Sequence, residues 1–110
     1  MTHAESPADN FADLPLHDAV IGRITLDWAA GTLRLELSVF YARDAHAIPS
    51  TLTFEGLTDV SLSRHEPWGP SVYVNSSVFE PPTCYRLEMQ SGDVIEVGAA
   101  SFRLTRTPDP

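Results

Sequence analysis

Hydrophobic and polar residues alternate with a period of two along most of this chain, and no segment shows the i, i+3, i+4, i+7 apolar stripe of an amphipathic helix. From Val20 to Trp28, Ile24, Leu26 and Trp28 share one face while Arg23, Thr25 and Asp27 share the other. This predicts a strand with Trp28 in the core. Ala29-Ala30-Gly31 supplies a short turn, and Leu33, Leu35, Leu37, Val39 and Tyr41 resume the alternation over Thr32 to Tyr41, giving a β-hairpin. Ala42 to Pro49 is aperiodic and reads as a loop, since Pro49 disfavours helix before it.

Shorter strands follow at Ser50 to Glu55, with Leu52 and Phe54 inward, and at Asp59 to Arg64, with Val60 and Leu62 inward. Glu66-Pro67-Trp68-Gly69-Pro70 interrupts the pattern with two prolines and a glycine, which suit neither a helix nor a central strand. Ser71 to Asn75 resumes as a strand, and Val78 to Pro82 reads as an irregular link. Thr83 to Gln90 alternates Tyr85, Leu87 and Met89 with Arg86, Glu88 and Gln90. Ser91-Gly92 sits where a hairpin turn belongs, Asp93 to Val97 returns, and Ser101 to Thr105 closes the series near Arg106. The expectation is an all-β domain of about eight short, mostly antiparallel strands, in a sandwich or partly closed barrel. Residues 1–15 read as a flexible acidic arm anchored at Phe11, residues 16–106 as the single domain, and residues 107–110 as a C-terminal fray.

A length of 110 residues suits one domain, and the 28 Leu, Ile, Val and Phe residues are enough to build a core. The apolar runs are too short to span a bilayer, so no membrane partner is expected. Met1-Thr2-His3-Ala4-Glu5 lacks a basic region and an apolar run, and Cys84 is alone, which together point to a cytoplasmic protein without disulfides. The formal charge is −8, and every basic residue is an arginine. Those arginines are scattered singly, whereas phosphate-backbone binding needs them clustered, so nucleic acid is not an expected partner. An acidic surface favours association with a basic protein.

Candidate chemistry is sparse. His3, His17, His46 and His65 include no HxH or HExxH pairing, so neither a metal nor a cofactor is expected. Arg86 lies two residues from Cys84 and could lower its pKa, but nothing nearby supplies a base, GxSxG is absent, and no GxG cradles a phosphate. The expectation is a protein that is not an enzyme. Glu66-Pro67-Trp68-Gly69-Pro70-Ser71-Val72-Tyr73 carries the binding signal, because a proline-stiffened loop loses little entropy on binding and Trp is a frequent interface anchor. The alternative is that Trp68 folds back as a plug. His17 and Asp18, just before the first strand, suit hydrogen bonds that pin one end of the fold.

Leu16-His17-Asp18-Ala19, a first strand ending Asp27-Trp28, Trp68-Gly69-Pro70-Ser71 with Asn75, and Glu88-Met89-Gln90-Ser91-Gly92-Asp93 form a recurring combination. It resembles small bacterial proteins of the YxiG-like kind, which are similar to β-rich immunity proteins of polymorphic toxin systems. The resemblance runs from about residue 16 to residue 104. It implies a bacterial cytoplasmic binding domain that neutralises a toxin, and it carries over no catalytic residue. The interaction candidates are therefore Trp68, Tyr73, Glu66, His17 and Asp18, facing a basic protein partner such as a toxin. Two rival expectations are a small-ligand barrel lined by Tyr41, Tyr73 and Tyr85, and a structural homodimer formed through an open strand edge.

Overall fold

The computed structural model describes residues 8–42 and 46–107. Its elements are a 3-10 turn at Ala8–Asp13 and eight strands: β1 (Val20–Asp27), β2 (Thr32–Val39), β3 (Ile48–Glu55), β4 (Asp59–Leu62), β5 (Val74–Glu80), β6 (Cys84–Met89), β7 (Val94–Gly98) and β8 (Ser101–Arg106). They form two four-stranded antiparallel sheets, ordered β1-β2-β3-β8 and β4-β7-β6-β5, which we call sheets A and B. The fold is an all-β sandwich. Among the described residues neither sheet closes into a barrel, and no barrel mouth of the kind expected for a ligand is formed.

Period-two patterning explains the core. Leu33, Leu35, Leu37 and Val39 of β2 and Leu52 and Phe54 of β3 face Tyr85, Leu87, Ile95 and Val97 of sheet B, and all of them are buried. Residues 8–15, which the sequence assigns to the arm, contribute to this core. Phe11 is fully buried, with its ring 5.0 Å from Tyr85 and 5.1 Å from Phe102 in edge-on geometry. The remainder of the expected arm (residues 1–7), Arg43, Asp44 and the end of the expected fray (residues 108–110) lie outside the described residues.

Four expectations need correction. Trp28 is 85% exposed, because it lies in the β1–β2 turn just past the last residue of β1, which is an edge strand. Leu26 and Leu62 keep the inward phase of their strands yet are 48% and 51% exposed, for the same reason: β1 and β4 are both sheet edges. The fifth strand is Val74–Glu80, later than the expected Ser71 to Asn75, and it takes in the first three residues of the segment read as an irregular link. A register irregularity between Val74 and Ser76 breaks the alternation there. Ser77 then occupies an inward position, where its hydroxyl donates to the Phe11 carbonyl at 3.0 Å. Ile48 and Pro49, assigned to a loop, pair with Val39 and Ser38 as the start of β3.

Candidate functional site

The β6–β7 hairpin end, Gln90 to Asp93, gathers most of the sequence candidates. Asp93 stands in phase with inward Ile95 and Val97, so its carboxylate points inward rather than to water, and the residue is buried. A buried carboxylate must be hydrogen-bonded, and the loop after β4 supplies the donors. The His65 and Glu66 backbone amides donate to Oδ1 and Oδ2, each at 2.8 Å. The Ser71 hydroxyl donates to Oδ2, and the Ser91 hydroxyl reaches the same oxygen at 3.4 Å. Burial alone would raise the Asp93 pKa. The bonds from Ser71 and from the Glu66 and His65 amides outweigh it and hold the carboxyl well below the usual range.

The loop is fastened at further points. The Trp68 amide donates to the Ser91 carbonyl at 3.1 Å, and the Ser71 amide donates to Glu66 Oε2 at 3.1 Å. Arg64 Nη2 lies 3.5 Å from that same oxygen. Glu66 adopts the left-handed φ of 54°, a conformation uncommon for a non-glycine residue, and Asp93 holds its amide there. Trp68 is 80% exposed, with its ring resting by one edge on Gly92. A Cβ at Gly92 would come within 2.8 Å of that ring, so the close approach requires glycine. Trp68 is therefore a displayed side chain and not the plug of the alternative reading.

His17 and Asp18 meet the other side of the same hairpin end. His17 Nδ1 donates to the Asn75 carbonyl at 2.8 Å, and Gln90 Nε2 donates to Asp18 Oδ1 at 2.6 Å. The Asp18 amide bonds to the Val74 carbonyl at 2.8 Å, with Asp18 at a φ of 67°. These bonds pin the entry to β1, which is the role their position in the sequence suggests. Tyr73 is half exposed: its carbonyl accepts the Gln90 amide at 2.9 Å, and its backbone bridges Val20 on the edge of β1. The five candidates thus surround one hairpin end, with Trp68, Tyr73, His17 and Asp18 exposed and Glu66 half-buried.

The three tyrosines of the ligand reading occupy separate places. Tyr85 is in the core, Tyr73 lies at the β1 edge, and Tyr41 is hydrogen-bonded to Ser50 at 2.6 Å beneath the Arg106 guanidinium. The outer face of sheet B is acidic. Arg86 sits at its centre, 2.8 Å from Glu80, 3.5 Å from Glu88 and 3.6 Å from Glu96. Cys84 lies on the same face, and its thiol is pushed up by burial and by Glu96 and Glu80, against the smaller opposing effect of Arg86. Arg86 does act to lower this pKa, as its position in the sequence suggests, but burial and the carboxylates outweigh it and suppress the thiolate. Among the described residues, no three His, Cys, Asp or Glu side chains are grouped to hold a metal ion, and no helix is long and apolar enough to cross a membrane.

Sequence reasoning missed Asp93 and Ser91, because a Ser-Gly-Asp run is fully explained by turn chemistry, and it gave Ser71, inside the Trp68 segment, no role of its own. The available signal was an acid in the inward phase of a strand. No family model matches the chain, and no curated protein matches it, so neither comparison supports a relationship to YxiG-like or immunity proteins. The fold is similar to a solved structure, an uncharacterized protein from Neisseria gonorrhoeae, with a TM-score of 0.55 and 10% identity over 80% of this chain and 90% of that one.

Proposed function

We propose that this chain is a protein-binding domain whose contact centre is the Trp68 loop. The observation that carries the reading is the combination of an 80% exposed Trp68 with a loop fastened by Asp93, Ser91 and Glu66. Displaying a large aromatic side chain to water forgoes the gain of burying it, and a preorganised loop avoids an ordering cost on association. Such a Trp is the usual form of an interface anchor. Glu88 and Glu96, on the two strands that meet at this hairpin end, and Glu80 beside them outnumber the single Arg86 and favour a basic partner. Neutralisation of a bacterial toxin in the cytoplasm is the particular form of this reading that the resemblance implies.

The test is retention of proteins from the native host's lysate by wild type and Trp68→Ala at low and moderate salt. A basic protein held by wild type and lost with the substitution supports the reading, and its release at moderate salt supports the acidic surface's share in it. Equal retention by both proteins contradicts it.

A further inference from the structure

A two-sheet sandwich has two seams where sheet edges meet, and in this protein they are treated differently. At the β8/β5 seam the 3-10 turn packs against both edge strands and inserts Phe11, fully buried, between the sheets. The β1/β4 seam has no equivalent closure among the described residues, and it leaves Leu26 and Leu62 half exposed on their inward faces with Trp28 at one end. Between these edges runs a groove of about 370 Å³, floored by Ile21, Ile24, Leu62, Val72, Met89 and Ile95. Exposed apolar surface of this kind, set between two strand edges, is costly unless something covers it.

Two further observations specify the occupant. The first is backbone pairing: Ile21 donates its amide to the Val72 carbonyl at 2.8 Å, and Val20 bridges Tyr73 in antiparallel sense. The outer edge of β1 thus already accepts an extended chain at its start, and from Arg23 to Asp27 that edge is open among the described residues. The second is charge. In a chain with 15 acidic residues and 7 arginines, the groove is lined, among the described residues, by Arg23 from one sheet and by Arg64 beside the other, whose guanidinium also lies 3.5 Å from Glu66, and no acidic residue lines it.

We infer that the β1/β4 seam binds an extended, acidic and apolar segment of another protein, which pairs with the outer edge of β1 over Arg23–Asp27. Such a segment continues the line that Val72 and Tyr73 begin, and its alternate side chains enter the groove over Ile24 and Leu62 while its carboxylates meet Arg23 and Arg64. Its apolar side chain does at this seam what Phe11 does at the other. This surface does not depend on the Trp68 reading, because Trp68 stands on Gly92 and does not line the groove.

The experiment is selection of displayed random peptides, about ten residues long, on the full chain, followed by affinity measurement on wild type, Leu62→Lys, Arg23→Glu and Trp68→Ala. Folding of each variant is checked by its amide NMR spectrum. The expected peptides alternate apolar residues with Asp or Glu, and they lose about tenfold in affinity or more on Leu62→Lys. They also weaken on Arg23→Glu and on placing proline at the peptide centre, and they bind Trp68→Ala unchanged. No enrichment over an unrelated protein, enriched peptides without that alternation, or equal binding to Leu62→Lys overturns the inference. So does light scattering that shows wild type dimerising and Leu62→Lys monomeric, since the occupant would then be a second copy of this chain. Loss of binding on Trp68→Ala with Leu62→Lys unaffected supports the Trp68 reading and overturns this one.

Discussion

Asp93 Oδ2 accepts the Glu66 backbone amide at 2.8 Å, and this bond joins the end of one hairpin to a residue held at a left-handed φ of 54° in the neighbouring loop. The loop that displays Trp68 is therefore conditional on the charge of a buried carboxylate. Hydrogen bonds hold the folded pKa of Asp93 below its ordinary value, which is about 3.9 in an unfolded chain. A lowered folded pKa contributes stability that is fully present above the unfolded value and lost as pH falls through the folded one. Asp93→Asn is expected to lower the melting temperature near neutral pH and to flatten the acid limb of the stability curve below about pH 4. Thermal melts from pH 2 to 7 check this, and parallel curves for the two proteins count against it.

Trp68 and Gly92 separate display from stability. Trp68→Ala removes a mostly exposed ring and is expected to change stability by less than about 1 kcal/mol. Gly92→Ala puts a Cβ within 2.8 Å of the ring at a φ of 99°, and it is expected to cost about 1–2 kcal/mol and displace the indole. Denaturant titrations give the energies. Fluorescence in a Trp28→Phe background reports Trp68 alone, and an unchanged emission spectrum on Gly92→Ala would contradict the packing.

Phe11 belongs to the core, although the sequence around it reads as an arm. Its ring meets Phe54, Tyr85 and Phe102, so Phe11→Ala is expected to destabilise the domain by about 3–5 kcal/mol. Denaturant titration of the variant checks this, and a loss below about 1 kcal/mol would show that the 3-10 turn is dispensable.

Cys84 is expected to react with a disulfide reagent at pH 8 more slowly than a free cysteine, because burial and the Glu96 and Glu80 carboxylates disfavour its thiolate. Replacing Glu96 with Gln should speed the reaction. A wild-type rate at or above that of free cysteine would contradict the assignment.

The strands were legible wherever one face is covered and the other is wet, as in β2, β6 and β7, because the alternation there follows burial directly. The pattern misleads at β1 and β4. The inward phase of Leu26 and Leu62 is correct, but alternation reports the direction of a side chain and not whether a second layer covers it. Sheet pairing decides that, and pairing between distant segments leaves no local trace. β5 was shifted because the register irregularity at Asn75 breaks its period and Ser77 fills an inward position by bonding to Phe11. At the candidate site the prolines around Trp68 announced a stiff loop. What holds the loop is Asp93, and a turn rule accounted for that residue without asking which way its carboxylate pointed.

The most direct test of the account measures binding and loop order on one set of proteins: retention of host proteins at low and moderate salt by wild type, Trp68→Ala and Asp93→Asn. The account predicts that a basic protein is captured by wild type, lost with Trp68→Ala although the fold is intact, and weakened with Asp93→Asn as the loop is released. Undiminished capture by Trp68→Ala would contradict it.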